Sequence, residues 1–184
     1  MEPIGIAEQL SEKFPGFVLE INSHRDQVSV RVDRSPIVAM CHYLQHEHGM
    51  NHLSCLCGVD HLTRQTARSE RFEVIYQLYS IHNRVALRLG ARIPESDPCI
   101  DSIVPLWTGA NWLERETYDL VGITFNNHPN LKRILTPDSW QGHPLRKEYP
   151  LRGETEWQGF TELKEKAALL KQYDFHNARK NGQE

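Results

Sequence analysis

The chain predicts an α+β fold: a mixed, largely antiparallel sheet with helices on one face, continued by an extended Pro-rich C-terminal clasp. Three observations carry this. Apolar residues recur at helical spacing early in the chain, several later stretches alternate at strand period, and seven of the ten prolines crowd between Pro94 and Pro150.

Ile6, Leu10 and Phe14 share a helix face, and Pro15-Gly16 ends that helix. FVLEI and VSVRV then read as two strands around a turn at SHRDQ, with Val28, Val30 and Val32 on the buried face. Asp33 or Ser35 can cap a second helix with Pro36 at its first position, running to about His48 before Gly49. HLSCLCGVDHL reads as a buried strand, and RFEVIYQLYS and RVALRLGARI, joined by IHN, as an antiparallel hairpin. Asp101 is placed to cap a short helix through IVPLW. Asn111 and Glu114 are spaced as a capping box for another helix, NWLERETYDLV, closed by Gly122. On that helix Leu113, Leu120 and Val121 form the apolar face, Glu114, Arg115, Glu116 and Asp119 fill the remainder, and Arg115 and Asp119 can pair locally.

From about Asn126 to Gly159 no periodicity outlasts a turn. Trp140, Tyr149, Trp157, Leu131, Ile134, Leu135 and Leu145 are nonetheless costly to leave in water. The simplest expectation is order imposed by another chain. FTELKEKAALLKQYDF resumes a helical pattern before a frayed end. The expected division is an α+β domain over 1–109 and, over 110–184, a helix with an extended partner-binding segment.

Composition narrows the function. A formal charge of -3 and a pI near 6.4 argue against a general nucleic-acid binder. The basic run LKRIL…PLRK is diluted by Asp138, Glu148, Glu154 and Glu156. No run approaches the roughly 18 apolar residues of a membrane span, so membrane association is expected only through partners. Cys41, Cys55, Cys57 and Cys99 lack a C-x-x-C and read as reduced thiols, with Cys55 and Cys57 as small buried hydrophobes on one strand face. His42 and His46 stand at a spacing zinc could use, near His48 and His52, but without H-E-x-x-H they read as a solvated helix face. Glu114 and Glu116 diverge by about 200 degrees on a helix and cannot share a substrate as paired acids.

The run from Ala110 to Leu151 carries an ordered set: Glu114-Arg115-Glu116, Tyr118-Asp119, Gly122-Ile123, His128-Pro129, Arg133-Ile134-Leu135 and Gly142-His143-Pro144-Leu145-Arg146-Lys147. It resembles the signature of the C-subunit family of the respiratory NADH-quinone oxidoreductase, complex I (NDH-1). A weaker likeness reaches back through FEVIYQLYS and DSIVPLW. Cys55-Leu56-Cys57 departs from the expected pattern, as does Glu148 where aspartate is commoner. The resemblance implies a non-catalytic peripheral-arm subunit on the cytoplasmic side of the cell inner membrane. Such a subunit is needed for assembly and for supporting two neighbours, the D subunit with the quinone site and the iron–sulfur B subunit. It implies no cofactor in this chain. FMN and Fe-S clusters elsewhere in the complex pass electrons from NADH to quinone, coupled to proton translocation.

The expected partner interface comprises Glu114, Arg115, Glu116, Asp119, His128, Lys132, Arg133, His143, Arg146 and Lys147, residue types that form forked, charge-assisted hydrogen bonds. Two other readings stand beside this one: the equivalent subunit of a membrane-bound hydrogenase or a ferredoxin- or plastoquinone-linked complex, which shares the signature, and a free-standing metalloprotein using the Cys/His set.

Overall fold

The structure is a computed structural model that describes residues 2–62, 70–150 and 159–170. It divides into two compact units, Met1–Tyr149 and Pro150–Glu184.

The first unit is built on a five-stranded sheet of β1 (Val18–His24), β2 (Gln27–Asp33), β3 (His52–Asp60), β4 (Phe72–Ser80) and β5 (Val85–Ile93), in the order β1-β2-β5-β4-β3. All neighbours are antiparallel except β2 and β5. The β1–β2 turn is tighter than the sequence suggests. His24 pairs with Gln27, leaving Arg25 and Asp26 at φ 50 and 62, the double left-handed geometry that matches strand twist.

The apolar alternation decides which face is covered. Val30 and Val32, Leu87 and Leu89, and Val74, Tyr76 and Leu78 all point to one side and are fully buried. Against that side lie α1 (Pro3–Lys13), through Ile6, Ala7 and Leu10, and α2 (Ile37–Glu47), through Ile37, Met40, Cys41 and Leu44. Helix α3 (Ala110–Val121) packs on β3, where Gly58 makes room for it. A Cβ at Gly58 would lie 2.8 Å from the Thr117 methyl. The helices therefore cover one face, as expected. Two short strands, β6 (Cys99–Asp101) and β7 (Thr124–Asn126), pair in parallel on either side of α3 in sequence. In the second unit, α4 (Gly159–Leu170) forms within the stretch that the sequence marks as helical. Trp157, Glu154, Glu156 and the C-terminal end lie outside the described residues.

Several sequence expectations are corrected. β3 is an edge strand, not a buried one: only Leu56 and Asp60 are buried, and Cys55 and Cys57 are exposed. An edge strand has a neighbour on one side only, so its apolar run reports a half-covered element. Pro36 sits at the N-cap of α2 without a side-chain cap, because the Asp33 carboxylate instead accepts the Ser35 N–H at 2.8 Å. IVPLW forms turns, with Leu106 and Trp107 N–H groups both donating to the Ile103 carbonyl, and Asp101 belongs to β6. His42 and His46 do lie on an exposed helix face, their rings 4.1 Å apart. Among the described residues no group of three or more His, Cys, Asp or Glu could hold a metal ion.

Candidate partner-docking site

Helix α3 is buried on two opposite sides, and this organises the site. Ala110, Glu114, Thr117 and Val121 recur at helical spacing and form the stripe that faces the sheet. Asp119, about 200 degrees round from Thr117, is also fully buried. What covers it is the chain from Asn127 to Tyr149, a strap without helix or strand that packs over α3.

The Asp119 carboxylate holds the strap. Oδ2 accepts the backbone N–H groups of Ile134, Leu135 and Thr136 at 2.9, 2.7 and 2.9 Å. Oδ1 accepts from Arg133 at 2.8 Å and from the Thr136 hydroxyl. Burial would raise this carboxyl, but the Thr136 hydroxyl and the three N–H donors outweigh it and hold the group well below the usual carboxylate range. Arg133 also donates to Thr136 Oγ1 at 2.9 Å and the Gly142 carbonyl at 3.1 Å, which ties the strap to itself.

The C-terminus of α3 forms a second anchor. Gly122 closes the helix at φ 79, and Arg146 donates to the Val121 and Gly122 carbonyls at 2.8 and 3.4 Å. A cation there satisfies carbonyls the helix leaves open and complements its negative end. Gly122 is required twice, since a Cβ would come within 2.5 Å of the His143 ring and 2.6 Å of the Arg146 guanidinium. His143 Nδ1 donates to the Asp119 carbonyl at 2.9 Å and the Leu145 N–H to the Leu120 carbonyl at 2.9 Å. Burial lowers the His143 pKa, and Arg146 and Arg133 lower it further against the opposing Asp119 carbonyl.

The third anchor joins strap and sheet. Asp60, at the end of β3, accepts the Lys147 N–H at 2.9 Å and the Arg71 guanidinium at 2.8 Å. Burial raises this carboxyl, but Arg71 and the Lys147 and Leu62 N–H groups bring it down to about 2. Arg71 further reaches Glu95 at 2.6 Å, and Glu148. Its guanidinium lies 4.8 Å from the centre of the Phe72 ring.

Glu114 is the counterpart on the inner side. Its Oε1 accepts the Ile103 N–H at 2.8 Å, so the expected capping box does not form and Gly109 is the N-cap instead, without a side-chain cap. Burial pushes its carboxyl up to about 7, against the Ser102 hydroxyl and the Ile103 N–H. His128 lies 3.9 Å away. Its Nδ1 accepts the Asn130 N–H at 3.0 Å and its Nε2 donates to the Asn111 carbonyl at 3.2 Å, a pattern only the neutral ring can make. Burial lowers the His128 pKa accordingly, with Arg115 adding to the effect and the Asn111 carbonyl opposing it.

The structure thus brings Arg115, Asp119, Arg133, His143 and Arg146 into one network over α3. The local Arg115–Asp119 pair does not form: Arg115 donates to the Lys132 and Arg133 carbonyls at 3.1 and 3.3 Å. From Asn127 to Tyr149 the strap packs against its own helix, and residues 151–158 of the segment expected to be ordered by another chain lie outside the described residues. Glu116 and the Lys132 and Lys147 side chains stay exposed. So do Trp112, Leu135 and Leu145, at 61, 62 and 57%, with Arg115 5.1 Å from the centre of the Trp112 ring. Sequence reasoning missed Asp60, Arg71 and Trp112 as parts of this region. Asp60 closes an apolar strand, a place where an acid needs a partner, but nothing local names Arg71 as that partner.

Residues 30–155 match the family model described as respiratory-chain NADH dehydrogenase, 30 Kd subunit. The chain belongs to that family. Its relatives in the family include the NADH-quinone oxidoreductase C subunit of Geobacter metallireducens, 48% identical over 145 residues that span 79% of this chain and 88% of the relative. The C subunit of a Roseiflexus species is 42% identical over 151 residues, 81% of this chain and 84% of the relative. Among solved structures, a trypsin-resistant fragment (1-134) of Nqo5 superposes with a TM-score of 0.61 at 34% identity, covering 71% of this chain and all of the fragment. A chain of an archaeal membrane-bound sulfane sulfur reductase has the same TM-score at 17% identity, covering 82% of this chain and 87% of its own, and shares the fold. The assignment to the complex I C-subunit family read from the 110–151 signature holds, and the 30 Kd family is favoured over the hydrogenase-type reading. The described residues contain no helix long and apolar enough to cross a membrane.

Proposed function

We propose that this chain is a non-catalytic, peripheral-arm subunit of a proton-translocating NADH-quinone oxidoreductase that docks onto its neighbours through α3 and the strap. The observation that carries the docking surface is the exposure of Trp112, Leu135 and Leu145 on a base whose own charges are already engaged within the chain. Large apolar side chains presented by a rigid support are the usual anchors of an interface, and a rigid support lowers the ordering cost of association. The exposed Lys132, Lys147 and Glu116 form a charged rim that selects the partner and its orientation. The buried Glu114 and Asp119 and the half-buried Arg133 and His143 of the expected interface shape this surface from beneath.

The partners implied by the family signature are the D and B subunits, with FMN and Fe-S clusters carried by other chains on the cytoplasmic side of the membrane. The test is mild detergent extraction through a tag on this chain, followed by mass spectrometry and an NADH-to-quinone assay. Recovery of a flavin- and cluster-containing complex that reduces quinone supports the reading. Recovery of this chain alone from membranes that retain NADH-quinone activity contradicts it.

A further inference from the structure

On the sheet face opposite the helices, edge strand β3 is exposed at Cys55 and Cys57, while Glu73 and Ile75 of β4 are buried. Along one row of that face Cys55 lies beside Gln77 and Gln77 beside Arg88; along the next, Cys57 lies beside Ile75 and Ile75 beside Gly90. Cys55 and Cys57, two apart on edge strand β3, project from the same side and are both exposed. The other two cysteines are unlike them. Cys41 is fully buried among α2 core residues, and Cys99 is held between Asp97, at 3.1 Å, and Arg34, at 3.5 Å.

We propose that Cys55 and Cys57 form a two-thiol chelating site for trivalent arsenicals. Strand geometry separates alternate Cα atoms by about 6.7 Å, at the far end of the roughly 4.4–6.8 Å range that a disulfide spans. The pair is therefore poorly placed to close on itself. A thiophilic centre inserted between the two sulfurs relieves that constraint, because it lengthens the bridge. The setting suits thiols rather than a preformed thiolate. Partial desolvation and the adjoining Cys55 thiol hold the Cys57 thiol above its ordinary value, Glu116 adds to this, and Arg88 pulls the other way.

With phenylarsine oxide as the probe, the step is a condensation. Two As–S bonds form, both thiol protons pass to the oxide oxygen, and that oxygen leaves as water. Arsenic stays trivalent, so no oxidant or reductant enters.

The test uses the full chain, treated with phenylarsine oxide, washed with excess 2-mercaptoethanol and read by intact-protein mass spectrometry. The native chain keeps one arsenical through the monothiol wash and releases it to 2,3-dimercaptopropanol. In Cys55→Ser and Cys57→Ser, where only one sulfur remains, the adduct washes off about a hundredfold faster, the loss expected when an intramolecular second ligand is removed. Cys41→Ser and Cys99→Ser behave as the native chain. Loss of the adduct from the native chain in the monothiol wash overturns the proposal without recourse to any variant. Equal retention in Cys55→Ser or Cys57→Ser overturns it as well.

Discussion

Replacing Asp119 by alanine removes the acceptor on which the strap is hung, and its effect is calculable from the hydrogen bonds. Three backbone donors, those of Ile134, Leu135 and Thr136, lose their partner, as does one arm of Arg133. A hydrogen bond to a charged group contributes roughly 1.5–3 kcal/mol, and a buried donor left unpaired costs roughly 1–3 kcal/mol. Ile134 and Thr136 are half-buried and Leu135 is exposed, so water can replace part of what is lost. The low-end value of about 1.5 kcal/mol for each of the three N–H groups then gives about 4.5 kcal/mol.

That cost falls on strap docking, because α3 keeps its stripe against the sheet. At about 1.4 kcal/mol per tenfold, the open strap becomes about a thousandfold more populated. Limited trypsin digestion reads this directly, since Lys132, Arg133, Arg146 and Lys147 all lie in the strap. Cleavage there should accelerate by about that factor when opening and closing outpace cutting, while the sheet fragment survives. Asp119→Asn, which keeps an acceptor oxygen but not the charge, should fall between. Equal strap cleavage in the native chain and Asp119→Ala would refute the anchoring role.

Three further outcomes are expected. Glu114 holds its proton more tightly when folded, with its carboxyl at about 7 against an ordinary 4.5. Stability should therefore be greatest below about pH 4.5 as far as this group is concerned, and decline by up to about 3 kcal/mol as pH rises to about 7. Glu114→Gln should flatten that decline in urea titrations at several pH values; an unchanged slope would contradict it. Gly122→Ala forces a left-handed conformation on a side chain and drives a Cβ into His143 and Arg146, at a cost of about 1–3 kcal/mol. Hydrogen exchange should show the 143–147 amides opening first. Gly58→Ala crowds Thr117 and should cost about 1–3 kcal/mol in thermal unfolding through displacement of α3.

The elements that sequence reveals here are those whose burial is set by local period. Val28, Val30 and Val32 alternate, and Ile6 and Leu10 share a helix face, so their elements and inward sides are legible. Period says which side is buried but not which strand lies alongside, and so the parallel β2–β5 pairing is not. The charged residues of α3 mislead for a related reason. A carboxylate on a helix is assigned to solvent because burying it unpaired is costly. Asp119 and Glu114 escape that cost through donors at Ile134–Thr136 and Ile103, whose positions only the folded chain reveals. The strap itself is legible as ordered, from apolar residues such as Leu131 and Ile134, but not what it packs against. The family signature covers the residues by which α3 and the strap hold each other, Asp119, Arg133, His143 and Arg146 among them.

We propose that α3 and the strap form the surface by which this chain is held in its complex. Amine-directed crosslinking of the purified NADH-quinone oxidoreductase, read by mass spectrometry at Lys132 and Lys147, tests it most directly. Both lysines should crosslink to neighbouring subunits, and those crosslinks should be lost together with this chain from complexes carrying Trp112→Ala and Leu135→Ala. Lysines that label freely with water-soluble reagents in the intact complex, with full retention of the double variant, would contradict it.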